Sequence, residues 1–227
     1  MSGHNPNKVK SDGWVRSLGQ LRIFATLGII AGLILVQACG RKLPSQPSCN
    51  FVQNSELQRV SWKTDLPITM YLDASVPYNY VQAIQAAMNI WNAQGQATIQ
   101  KDYFKLGTGS PGSGSPGVDG YSKIYYLNNW EADRPNEQAR TTIYWTGAKI
   151  YEADMRLNGF NFQFYTDNTQ PDNAKVNLQS LVLHELGHVL GMAHDQEATS
   201  VMQPSLANGL LRITPGVVDI QSLNCEY

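Results

Sequence analysis

Hydrophobic positions along the chain fall into three kinds of run. Ile23 to Val36 carries no charge and is rich in Ile, Leu, Ala and Gly. Val81, Ile84, Met88 and Trp91 recur at helical spacing, which predicts an amphipathic helix from Val76-Pro77 to near Gly95. The third kind alternates: in Ile150 to Leu157, Tyr151, Ala153, Met155 and Leu157 interleave with Glu152, Asp154 and Arg156, the pattern of a half-buried strand. Its expected neighbour is Asn161 to Tyr165, across a turn at Asn158-Gly159. Pro67 to Tyr71, Ala97 to Phe104 and Thr141 to Tyr144 also read as strands. A second helix is expected from Val176 to Leu190, stopped by Gly191. A last helix is expected to begin at Thr214-Pro215 and run through Val218, Ile220 and Leu223. Strands bracketed by three helices predict an α+β domain with a mixed sheet.

Two stretches break this pattern. Residues 39–66 are polar, with Pro44 and Pro47, and read as a tether, so that the domain proper is expected over residues 67–227. Gly107 to Gly120 holds six Gly, three Ser and two Pro in fourteen positions, a flexible loop by composition. Calcium in that loop is an unsupported alternative, because Asp119 is the only carboxylate inside it.

Charge separates the chain into two unlike pieces. The 227 residues have a formal net charge of −1, yet residues 1–42 hold six basic residues and one acid, leaving the remainder at about −6. A domain of that sign is no nucleic-acid binder built on a basic surface. The apolar run from Ile23 is shorter than the ~20 residues of a membrane-spanning helix and suits a signal-peptide core. It ends Leu35-Val36-Gln37-Ala38-Cys39-Gly40, which resembles the lipobox of bacterial lipoproteins. The resemblance implies cleavage after residue 38 and a lipid anchor on Cys39 in the cell envelope, at the outer membrane if the cell is Gram-negative; an uncleaved signal anchor and an ordinary cleaved signal peptide are the alternatives. With Cys39 acylated, Cys49 and Cys225 remain, most simply as one disulfide in an oxidising compartment, with two buried thiols as the alternative.

The chemistry is concentrated in His184-Glu185-Leu186-Gly187-His188-Val189-Leu190-Gly191-Met192-Ala193-His194. Residues four apart on a helix share a face, so His184 and His188 can present two imidazoles to one ion. Gly191 lets the chain leave the helix and return His194 to the same ion. Three neutral nitrogens leave a fourth position open for water, the catalytic rather than the structural arrangement of zinc. Glu185 is placed to reach that water without being a ligand. The chain has four histidines; His4 belongs to the leader, so all the others lie inside this string.

The string fits H-E-x-x-H-x-x-G-x-x-H and resembles the metzincin zinc endopeptidases, whose second mark is a methionine turn beneath the metal. Ser200-Val201-Met202-Gln203-Pro204 supplies that turn at the spacing of the matrixin branch, with Met202 as its methionine. Weaker matches at Trp91-Asn92, Glu152 to Asn158 and Asp219-Ile220 extend the resemblance over about residues 67 to 224. It implies a zincin fold: a twisted, mixed five-stranded sheet, three main helices, and an active-site helix followed by the methionine turn. It further implies one catalytic zinc held by His184, His188 and His194, and a water activated there with Glu185 as general base and acid. A protein or peptide substrate is expected to lie extended along an edge strand, either Ile150 to Asn158 or a neighbour. Ser180 matches the position controlling pocket depth and implies room for a large apolar side chain after the cleaved bond.

Three departures stand out. Asp195 follows the third histidine, as in the adamalysin branch or bacterial matrixin-like proteins; Gln203 replaces the tyrosine common after the turn methionine; and no histidine remains for a structural zinc. No cysteine-switch propeptide fits between Cys39 and Pro67, so latency by a cysteine on zinc is not predicted. The expectation is a monomeric, lipid-anchored zinc endopeptidase of the bacterial envelope. The competing reading is an inactive zinc-binding envelope lipoprotein with a binding or structural role, against which the intact Glu185 speaks.

Overall fold

The apolar stripe around Ile84 builds the first long helix of the computed structural model, which describes residues 49–227; the leader and Cys39 lie outside the described residues. This helix, α1, spans Val81–Thr98, one turn beyond its expected end. Ile84, Met88 and Trp91 are fully buried, and the Trp91 indole donates to Leu183 O at 2.9 Å. Gly95 does not end the helix. It sits inside the last turn, where a Cβ would overlap the Lys101 carbonyl as the chain doubles back. The expected strand Ala97 to Phe104 is displaced accordingly, and only Phe104–Leu106 (β2) is extended. Asn92 pairs with both backbone groups of Phe104, at 2.8 and 2.9 Å, and so ties α1 to the sheet edge.

The sheet has five strands: β1 (Ile68–Leu72), β2, β3 (Lys123–Leu127), β4 (Ala139–Thr146) and β5 (Lys149–Asn158). Their order is β2-β1-β3-β5-β4, all pairings parallel except the β4/β5 hairpin. Strand β3 is not announced by alternation because both of its faces are covered over its first half: Lys123, Ile124 and Tyr125 are all fully buried. Phe164–Tyr165 (β6) does not pair with β5 as expected. It forms a parallel two-residue ladder with Val176–Asn177 (β7), directly ahead of the second helix, α2 (Leu178–Val189). The last helix, α3, covers Val217–Glu226, two residues later than expected. Gly216 stands at its N-cap, and the Asp219 carboxylate accepts from Gly216 N at 2.7 Å. No helix among the described residues is long and apolar enough to cross a membrane.

Two expectations are corrected more deeply. The described part of the tether, residues 49–66, is packed into the domain: Val60 and Ser61 are fully buried, Phe51 and Trp62 nearly so, and Phe51 bridges to Met192. Cys49 and Cys225 form a disulfide, with Cα atoms 5.8 Å apart, that pins this segment to α3. Strand β5, in turn, is not half-buried. A register shift between Tyr144 and Trp145 leaves Tyr151 at the surface, while Glu152 and Asp154 are 0% and 1% exposed. The glycine-rich loop covers their face. Gly117 N donates to Asp154 at 2.8 Å, and Asp119 N and Gly120 N donate to the two Glu152 oxygens at 2.9 Å. Composition suggested a flexible loop; hydrogen bonds to buried carboxylates hold it instead.

Candidate metal centre

Helix α2 begins at Asn177, whose side chain accepts from Ser180 N and Ser180 Oγ, both at 2.8 Å. An Asn at the N-cap satisfies donors that the first turn leaves unpaired. The helix then carries His184 and His188 one turn apart and stops at Leu190. Gly191 has φ +98, a conformation that disfavours a side chain, and a Cβ there would overlap Val60 O. The chain turns at this glycine and brings His194 back. The N-terminal segment braces the turn: Val52 N donates to Gly191 O at 2.8 Å, and Ala193 N to Asn50 O at 2.9 Å. The Asn50 amide donates to Ala193 O and His194 O at 3.1 and 2.8 Å, and to Asp195 at 3.3 Å.

The three imidazoles converge. His188 Nε2 lies 3.1 Å from both His184 Nε2 and His194 Nε2. His184 Nδ1 faces Val201 O at 2.8 Å and His188 Nδ1 faces Met192 O at 2.9 Å. A carbonyl only accepts, so both Nδ1 atoms carry the proton and both Nε2 atoms present lone pairs. Facing lone pairs repel and cannot bond one another; a cation between them removes the conflict. Tetrahedral zinc with bonds of about 2.05 Å would need nitrogens about 3.3 Å apart, close to this spacing. Burial, with the neighbouring His188 next in weight, pushes His184 down to about 3, and burial also lowers His194. Those two rings are therefore neutral at physiological pH, the form that binds metal. Among the described residues, these histidines are the one group of three His, Cys, Asp or Glu side chains with ligand atoms close enough to share an ion.

Glu185 points to the sheet side of the site, where its Oε2 accepts from the Thr141 hydroxyl at 2.7 Å. Burial raises its pKa. Met202 is fully buried under α2, and a Cβ on Gly187 would overlap its sulfur, so the glycine between Glu185 and His188 lets the methionine turn approach. That turn hangs on Asp219: Ser200 Oγ and Val201 N donate to its carboxylate at 2.5 and 2.9 Å. Through Val201 O, Asp219 thus helps orient His184. Thr141, Asn50 and Asp219 have no catalytic motif of their own; only their contacts reveal them.

A cleft of about 470 Å³ opens beside the histidines, with Ser180, Leu181, Leu206 and Arg212 on one wall and Ala139 to Thr141 of β4 on the other. Strand β5 lies between β3 and β4, so the edge strand at the cleft is its neighbour β4. Asp119 does not gather with other carboxylates around an open space. Its oxygens accept from Ser113 N at 2.5 Å and Tyr121 N at 3.0 Å, and they pair with the buried Lys123 ammonium at 3.1 Å. Residues 128–224 match the family model described as Matrixin, a peptidase family. No curated protein matches the chain.

Proposed function

We propose that this chain, a matrixin-like metzincin, is a zinc-dependent endopeptidase that hydrolyses protein substrates in or outside a bacterial envelope. The observation that carries the reading is the convergence of three Nε2 atoms, two of them with their protons directed away by backbone carbonyls, beside a buried carboxylate and a cleft. His184, His188 and His194 would hold the zinc. When bound, zinc polarises the scissile carbonyl and acidifies a water.

The protein side chains account for the rest. Thr141 holds the Glu185 carboxylate on the sheet side of the histidines, and burial raises its affinity for a proton. A carboxylate so poised accepts a proton from the attacking water and returns it to the leaving amine. The free edge of β4 offers main-chain donors and acceptors to an extended peptide, which would add as a further strand and lay its scissile bond across the histidines. Cys39, if lipidated as its sequence context suggests, would tether this domain to the membrane.

The full-length chain, expressed in a bacterium and purified in detergent, should bind one zinc and cleave an unfolded protein such as casein until a chelator is added. Equal cleavage by the wild type and Glu185→Ala would overturn the catalytic reading. Loss of acyl labelling in Cys39→Ser is expected of the anchor; labelling that persists would refute it.

A further inference from the structure

Two arginines line the cleft, and they differ in how their charge is met. Arg140 pairs with Glu131 and Glu137, the former at 2.9 Å, so its charge is already compensated. Arg212 makes no salt bridge among the described residues. Its guanidinium donates to two neutral oxygens, Gln203 Oε1 at 2.7 Å and Ser205 O at 3.1 Å. An arginine side chain carries five N–H donors, so three remain without a protein acceptor. The acid acting on it electrostatically is Asp219, which is buried and already accepts from Ser200, Val201 and Gly216. Arg212 is partly buried, and burial lowers its pKa, so its charge is poorly solvated and open to an anion.

Its placement is built rather than accidental. Arg212 N donates to Ser180 Oγ at 2.8 Å, and Ser180 in turn is held by the Asn177 cap, so the arginine is anchored to the first turn of the metal-bearing helix. Leu181, Val201 and Leu206 line the same cleft and give it apolar surface. Ser180 alone implied room for a large apolar group. A cleft that joins apolar surface to an uncompensated guanidinium has a different complement: a methylene stem that ends in a carboxylate.

We propose that Arg212 is the specificity-determining residue of this cleft and that it selects substrates with an acidic side chain, glutamate above all, immediately after the cleaved bond. The proposal rests on the peptidase reading and deepens it. A charge-assisted, bidentate pair between guanidinium and carboxylate favours the acidic substrate by about tenfold or more over an apolar side chain of similar size.

The test uses two peptides identical but for Glu or Leu after the scissile bond. With the zinc-loaded full-length protein, the Glu peptide should be cleaved with a kcat/KM about tenfold higher. Arg212→Met should remove that preference and Arg212→Glu should favour a Lys peptide. The wild type provides a check that needs no variant: raising the salt from about 0.05 to 0.5 M should narrow the Glu:Leu ratio as the ion pair is screened. An unchanged ratio in Arg212→Met, or a wild type that prefers Leu at every salt concentration, overturns the assignment. Binding of the same two peptides to zinc-loaded Glu185→Ala reads the pocket without turnover. A Glu preference there sustains the role of Arg212 even if hydrolysis fails, and equal binding refutes it even if hydrolysis succeeds.

Discussion

Two clusters of polar side chains sit on opposite sides of the sheet's central strands, and they are built on opposite logics. Under the glycine-rich loop, Lys123 is fully buried, yet its ammonium reaches Pro111 O at 2.8 Å, Ser113 O and the Asp119 carboxylate. Burial alone would lower its pKa, but its bonded partners Tyr125 and Asp119 hold it above the ordinary lysine value. Glu152 and Asp154 are likewise capped by backbone N–H groups of the loop. At the end of α2, by contrast, three imidazoles direct ring nitrogens at one another with no protein group donating to them. Facing lone pairs repel, and a cation between them turns that repulsion into coordination. The first cluster is closed and holds a loop; the second is open and implies an ion.

The comparison breaks most visibly through Glu185. Replacing it with Ala should cut peptide hydrolysis by about 10²- to 10⁴-fold, as expected for a general base, with zinc content unchanged by elemental analysis. His188→Ala should lose both. At the closed cluster, Lys123→Met should leave Asp119 without its cation and two carbonyls without their donor, and lower unfolding stability by about 3–5 kcal/mol, read from denaturant titration. A loss under 1 kcal/mol would mean that the loop does not depend on the ammonium.

Zinc itself separates the two. At a hundredfold excess over its Kd, the ion should stabilise the wild type by about 2.7 kcal/mol in thermal melts. The increment should survive in Lys123→Met and vanish in His188→Ala. The smallest effect is a titration. Burial raises Asp154 to about 6, against the bonds from Gly117 and Lys123 that lower it and the charges of Glu152 and Asp119 that raise it. A carboxyl raised on folding takes up its proton in the folded chain first, so this group adds stability as pH falls from 7 to 5, by at most about 1.4 kcal/mol per unit. Asp154→Asn should flatten that part of the stability profile; an unchanged slope would assign it to another group.

The open cluster was far more legible in the sequence than the closed one, and for a physical reason. His184, His188 and His194 sit on a helix and its exit turn, where i, i+4 spacing and one glycine determine direction. Their meeting is a local matter. Lys123, Glu152 and Asp154 meet through pairing of β3 with β5 and through a loop of fourteen small and polar residues, none of which advertises a partner. Alternation in Ile150 to Leu157 correctly marked a strand, but it read Glu152 and Asp154 as solvated because alternation cannot see a covering loop. Residues 49–66 misled similarly: their polar side chains suggested a tether, whereas Val60 and Trp62 find their burial against elements more than eighty residues away, Trp62 donating to Val189 O at 2.7 Å. Ser180 lines the cleft, and Arg212, 32 positions later and bonded to it through its backbone N–H, lines the same cleft without any signal in the sequence.

The brace on His194 has a consequence for the order of events in synthesis. Asn50 grips the turn after α2, and its neighbour Cys49 is bonded to Cys225, 176 positions further along the chain. A nascent polypeptide threads out with residue 50 long before residue 225. Until residue 225 has emerged and the disulfide has formed, the grip on the third histidine lacks its covalent backing. Full bracing of the centre therefore waits on the synthesis of α3 and on an oxidant that joins the two thiols.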